Sequence, residues 1–178
     1  MLQIAIHIII GVLIADLISG LIHWTQDHYG KASWPIIGGV IADNHRHHLH
    51  PDEFLTNSVL KRNYATFILI GLIGCVFAIF GWLNTITVTA LIVGAWANEF
   101  HAFAHRYNDS RVLSGLRYFG LIQSPKHHRV HHQEDVWSHY CIITSYLNPA
   151  FRYFKVWRGL EICVEKITGV KAYRPPEK

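Results

Sequence analysis

The chain has 178 residues, 51% of them hydrophobic and 16% charged, and it carries 14 histidines against 12 carboxylates. Low charge with a mean hydropathy of +0.18 excludes a disordered chain, three cysteines exclude a disulfide scaffold, and 13 glycines exclude a collagen-like one. The formal charge of +4 does not point to nucleic acid, because the cations form no basic stripe: four lie between Lys31 and Arg62, twelve from Arg106 onward, and none in 1–30 or 63–105.

The cation-free stretches hold the long apolar runs. Residues 2–22 would make a helix about 31 Å long, matching a hydrocarbon core of roughly 30 Å. The run lacks the basic start and small-residue cleavage site of a secretory signal, so it reads as a retained span. Residues 64–83 and 86–105 are two further uncharged runs of spanning length, with a tight turn expected at Asn84 and Thr85 beside Trp82. All basic residues fall in 23–63 and 106–178, so the positive-inside rule puts those regions in the cytoplasm and the N-terminus outside. The expected fold is all-α: one domain over 1–178, a polytopic membrane bundle of three to four spans with amphipathic helices on its cytoplasmic face. Val112, Leu113, Leu116 and Phe119 predict one such helix. Phe151, Phe154, Trp157, Leu160, Val164 and Ile167 predict another. Arg174, Pro175, Pro176, Glu177 and Lys178 read as a frayed end.

Only His7 lies deep in an apolar run; the other histidines fall at cytoplasmic helix ends and loops, in four groups. His23 and Asp27, in GLIHWTQDHYG, are four apart on one helix face. NHRHHLHP contains His45, His47, His48 and His50. In ANEFHAFAHR, His101 and His105 are again four apart, and Asn98 shares their face. In SPKHHRVHH, Ser124 is the expected N-cap and Pro125 the first helical residue, so His128, His131 and His132 line one side of a new helix. Imidazole suits iron, zinc, copper and nickel, and histidine pairs on converging helices are how a bundle surrounds a buried metal. There are enough here for two metals.

Absences narrow the chemistry. No glutamate is followed three residues later by histidine, so the motif of ferritin-like carboxylate di-iron proteins is missing. HExxH, CxxC, CxxCH and GxGxxG are missing too, which argues against zinc proteases, structural zinc, c-type haem and a bound nucleotide.

Taken together, GLIHWTQDHYG, HRHHLHP, NEFHAFAH and KHHRVHH followed by HYCIITSYLNP closely resemble the Kua, or plasmanylethanolamine desaturase, family of membrane lipid desaturases, which includes a plant chloroplast enzyme acting on phosphatidylglycerol acyl chains. The resemblance implies an O2-dependent di-iron enzyme that desaturates an alkyl-ether or acyl chain of a phospholipid, in one branch forming a vinyl ether. It implies electrons from a ferredoxin- or cytochrome b5-type donor. By motif position the family's functional residues fall on His23, Asp27, His47, His48, His101, His105, His128, His131 and His132, with His127 a further metal candidate. The chain departs from the pattern at His50, where a carboxylate is expected, and at Glu99, where glutamine is expected.

Asp27 is expected either to ligate iron or to orient His23, and Asn98 is a candidate to reach a metal through water. Asp16 lies seven residues before His23 on the same face, deep in an apolar span, and should turn into the bundle as a polar contact near the metal site or as a packing residue. His139 is a candidate extra ligand. Lys61, Arg62, Arg106 and Arg111 lie at lipid-phosphate level, where topology anchoring is the simpler reading. Two rival functions stand beside the desaturase: an acyltransferase built on His47 and Asp52 as H-x4-D, and a non-catalytic metal-binding membrane sensor.

Overall fold

The computed structural model describes residues 1–107, 110–134 and 137–173, and of Asp52 and Glu134 the backbone alone. The expected frayed end at 174–178 lies outside the described residues. Within them the chain is all-helical, with no strand.

Two helices are long and apolar enough to cross a membrane, α1 (Leu2–His28) and α4 (Val59–Ile79). Helices α2 (Gly38–Leu49) and α3 (Pro51–Thr56) lie between them. Ser58 starts α4 as an N-cap, its Oγ accepting from Lys61 N at 3.3 Å. The connection out of α4 turns at Gly81, whose φ of 67° suits glycine. Asn84 then caps α5 (Thr85–Ala95) in a reciprocal capping box with Thr87. The turn therefore lies one step earlier than expected, because Thr85 is already helical.

The third apolar run, 86–105, is not one straight helix. It breaks at Trp96 into α5 and α6 (Ala97–His105), where Trp96 N bonds back to Val93 O at 3.2 Å in a tightened turn. Neither half has spanning length, so two helices rather than three or four meet that test among the described residues.

Helix α1 packs along α5, and α4 lies against α5 and α6. Gly11 permits the first contact: a Cβ there would sit 2.6 Å from the Ile86 carbonyl oxygen and 2.7 Å from Thr89 Cβ. The outer faces remain apolar. Ile9, Ile18, Ile68, Leu72 and Ile79 are exposed, and only 28% of the apolar window of α1 and 11% of that of α4 are buried. Core helices of a soluble protein would be largely covered, whereas these present their hydrophobic surface outward.

Beyond α6 come α7 (Arg111–Tyr118), α8 (Pro125–Arg129) running into a π-helical turn (Val130–Glu134), α9 (Leu147–Tyr153) and α10 (Val156–Thr168). On the amphipathic stretch around α7, Val112 and Phe119 are exposed. Most of the apolar stripe of α10 is packing: Trp157 is buried with Trp24, Tyr140 and Cys141, flanked by Phe151, Leu160 and Val164, while Phe154 and Ile167 stay exposed.

The irregular segment from Ser138 to Ser145 runs through the centre of the molecule. Tyr140, Cys141, Ile142, Ile143 and Thr144 are all buried, and without a helix each backbone polar group needs its own partner. Asn148 Oδ1 accepts from Cys141 N at 3.1 Å, Gln123 Nε2 donates to Thr144 O at 3.0 Å, and Gln123 N donates to Ile143 O at 3.1 Å. Asp16 and Ser19 of α1 serve the amides between them.

Candidate metal centre

Four helices deliver their histidines to one place, in two adjacent groups. In group one, ligand atoms of His47, His101, His105, His128 and His132 lie within 4.8 Å of one another; in group two, those of His23, Asp27, His48 and His131 do the same. Helix α6 supplies group one through His101 and His105, and α1 supplies group two through His23 and Asp27. Helix α2 splits its neighbours, His47 to group one and His48 to group two, and the α8 unit does likewise with His132 and His131. Consecutive residues on a helix point about 100° apart, so these two elements straddle both groups. The expectation that His128, His131 and His132 line one side is corrected accordingly: His131 turns to the other group. The groups adjoin, with ring centroids of His48 and His132 4.9 Å apart and of His23 and His101 5.7 Å apart.

As protein alone, group one is crowded with lone pairs. His101 Nε2 lies 3.1 Å from His47 Nε2, 2.9 Å from His128 Nε2 and 3.2 Å from His105 Nε2, and His132 Nε2 lies 3.0 Å from His128 Nε2. A neutral imidazole has one N–H, so the three contacts of His101 cannot all be hydrogen bonds. A metal ion satisfies them together: with metal–nitrogen bonds of about 2.1 Å, ligands at right angles sit about 3.0 Å apart. Burial keeps these rings neutral. It pushes the His47 pKa down to about 2, with the neighbouring histidines adding to the shift, and lowers those of His128 and His132 for the same reasons. Metal binding needs that neutral form.

Group two is ordered from behind. His23 Nδ1 donates to Tyr140 O at 3.2 Å and His131 Nδ1 to Ser138 O at 2.8 Å. Each bond fixes the tautomer that leaves Nε2 bare toward the group. Among the described residues both Nε2 atoms are buried without a hydrogen-bond partner, and they face Asp27 Oδ2 at 3.5 Å and 3.4 Å. The other carboxylate oxygen, Oδ1, accepts from Asn44 Nδ2 at 2.6 Å and lies 3.1 Å from His48 Nε2. A carboxylate oxygen of Asp27 thus lies beside the bare nitrogens of His23 and His131, at 3.5 and 3.4 Å, rather than behind His23. Five nitrogens in one group, and three nitrogens with an oxygen in the other, fit two metal ions.

The family model for the lipid desaturase domain matches residues 12–174. The chain belongs to the lipid desaturase domain family. It is 34% identical over 171 residues to an Acanthamoeba polyphaga mimivirus protein named "Probable fatty acid desaturase", covering 93% of this chain and 84% of that one. It is 27% identical over 179 residues to plasmanylethanolamine desaturase 1 of Mus musculus, covering 92% and 66%, and 30% identical over 179 residues to the chloroplastic fatty acid desaturase 4-like 1 of Arabidopsis thaliana, covering 96% and 59%. The chain therefore spans less than two thirds of the mouse and plant proteins. No solved structure matches.

In this lipid desaturase domain, nine of the ten metal candidates converge and His127 stands apart. Its Nε2 lies 3.3 Å from Asn148 Nδ2, and its ring lies 5.1 Å from that of His139, which is in neither group. Asn98 faces away from both groups, donating to Arg62 O at 2.7 Å and Thr66 Oγ1 at 3.0 Å. Arg62 is buried rather than placed for a lipid phosphate: it holds both oxygens of Glu99, at 2.7 and 2.9 Å, and Asn63 donates to the same carboxylate at 2.9 Å. Of the H-x4-D pair, His47 turns into group one and the side chain of Asp52 lies outside the described residues. The carbonyls of Ser138 and Tyr140 carry no sequence signal. Asn44 carries one, lying three and four residues before His47 and His48 on the same helix.

Proposed function

We propose that the chain is a membrane lipid desaturase whose two groups each hold one iron, and that it removes two hydrogens from adjacent carbons of a phospholipid alkyl-ether or acyl chain. The observation that carries this reading is the convergence of eight imidazoles and one carboxylate into two adjoining groups at the ends of apolar helices. When bound, the irons supply O2 activation: one O2 takes two electrons from the C–H bonds and two from an external donor of ferredoxin or cytochrome b5 type, and leaves as two waters with two added protons. The protein's own part is geometric and electrostatic. Its carbonyls at Ser138 and Tyr140 hold His131 and His23 in the ligating tautomer, Asn44 orients Asp27, and burial excludes water from His128 and His131, which are at most 1% exposed.

In this reading 1–178 forms a single lipid desaturase domain. Helices α1 and α4 cross the membrane, α5 and α6 make a third crossing bent at Trp96, and the histidine-bearing regions 23–63 and 106–178 face the cytoplasm. The names of the mouse and plant relatives support a lipid chain as substrate.

Expression in a host that makes no vinyl ethers, supplied with iron and a donor, tests the reading by lipid mass spectrometry. Wild type should produce lipids lighter by two hydrogens and His128→Ala should not. Absence of any such product with wild type, or a purified protein carrying a single zinc, overturns it.

A further inference from the structure

Asp16 is the one carboxylate in the apolar stretch of α1 before His23, and it is 0% exposed. A charge so placed is expensive unless it is matched. Its partners all belong to the irregular segment 128 residues away or less: Oδ1 accepts from Ile143 N at 2.9 Å and Oδ2 from Thr144 Oγ1 at 2.5 Å. One turn further along the same face, Ser19 Oγ accepts from Ile142 N at 3.4 Å. Gly20 follows, where a Cβ would meet Cys141 Sγ at 2.7 Å and Cys141 N at 3.1 Å, so any side chain there lifts the segment off the helix. The next contact on this face is the bond from His23 Nδ1 to Tyr140 O.

The segment fixed by Asp16, Ser19 and Gly20 thus presents the carbonyls of Ser138 and Tyr140 to His131 and His23, both in group two. Three of the five histidines of group one lack such backing: the Nδ1 atoms of His47, His128 and His132 are buried without a hydrogen-bond partner among the described residues. We infer that Asp16 is a positioning residue that stations this segment behind group two, and so sets the affinity of one of the two metal sites from within the apolar helix. The inference rests on the reading that each group holds a metal.

The test is metal binding, not turnover. Full-length protein in detergent is stripped, titrated anaerobically with Fe(II), and assayed for metals per chain. Hydrogen exchange at Ile143 is followed in parallel. Wild type should bind two. Thr144→Val, which removes one donor to Asp16 and the acceptor of Tyr146 N, should weaken the second metal about tenfold or more while leaving the first unchanged, within the range seen when an outer-shell partner is removed. Asp16→Ala should hold one metal per chain and lose protection at Ile143. Gly20→Val, which keeps the carboxylate but displaces the segment, should have the same result, and Asp16→Asn, which keeps an acceptor for Ile143, should largely restore the second metal. Two metals at wild-type affinity in both Asp16→Ala and Thr144→Val would overturn the inference. Equal weakening of both metals in Thr144→Val would overturn it too, since that marks general destabilisation. A wild-type chain binding fewer than two metals would instead overturn the two-metal reading on which it rests.

Discussion

Asp27 is held by one neighbour while it faces the others. Asn44 donates to Oδ1 at 2.6 Å, leaving Oδ2 directed at His23 and His131. Replacing Asn44 by Ala should free the carboxylate to rotate and lower metal affinity in group two by about 10- to 100-fold, measured by competition with a chelator. The buried imidazoles make a second prediction, about acid. His47, His128 and His132 have folded pKa values below the ordinary value of 6.5, so below pH 6.5 the unfolded chain binds more protons than the folded one. Stability of the metal-free protein is then fully present above pH 6.5 and is lost as pH falls from there toward 2, by up to about 1.4 kcal/mol per pH unit for each histidine. A series of thermal melts of stripped protein between pH 7.5 and 5 should show Tm level above about pH 6.5 and falling below it, and a profile flat down to pH 5 would contradict the burial described. The convergence of the candidate ligands was partly legible as spacings, because i, i+4 pairs such as His23 and Asp27 or His101 and His105 need only a helix to share a face. Arg62 was misplaced at the lipid surface because its partner Glu99 is 37 residues away, beyond any local pattern.

At the level of elements, α2 and the α8 unit carry the information that spacing could not. His47 and His48, or His131 and His132, look like one cluster in the sequence, yet neighbouring helical positions diverge enough to serve different groups. The π-helical turn at Val130–Glu134 widens the coil just where His131 and His132 separate, as such turns often do at functional sites. The break at Trp96 was invisible for a related reason: composition reports apolar length but not where the helical hydrogen-bond ladder is interrupted, as it is between α5 and α6. Helix α10 contributes from outside. Trp157 is 2% exposed and packs edge-on against Tyr140 at 5.0 Å. Trp157→Ala should cost roughly 3–5 kcal/mol, visible as a lower Tm. It should also loosen the metal of group two, because Tyr140 lies between that tryptophan and His23.

Across the whole molecule, polar chemistry is confined to one end of an apolar bundle. The outer faces of α1 and α4 are hydrophobic along their lengths, and the centre forms where α1, α2, α6 and α8 meet. The all-helical class and the existence of a histidine-rich centre followed from period and composition alone. The path of Ser138–Ser145 did not, because an irregular segment has no period and its amides are satisfied by residues as distant as Asp16. Chelation should therefore be felt locally: removing metal should raise hydrogen exchange in α2 and the α8 unit and leave the packed α1–α5 contact at Gly11 protected. Uniform loss of protection would show that the metals hold the bundle itself together.

The contact between Asp16 and Thr144 also sets an order of assembly. Helix α1 is made before the segment that matches it, and its buried carboxylate finds its Thr144 partner only after 128 further residues have been synthesised. Until then a newly made chain carries an unmatched acid within an apolar helix, a state that membrane quality control can recognise. Chains stopped before Thr144 should enter the membrane but be cleared faster than the full chain, a difference in lifetime that pulse-chase labelling would measure.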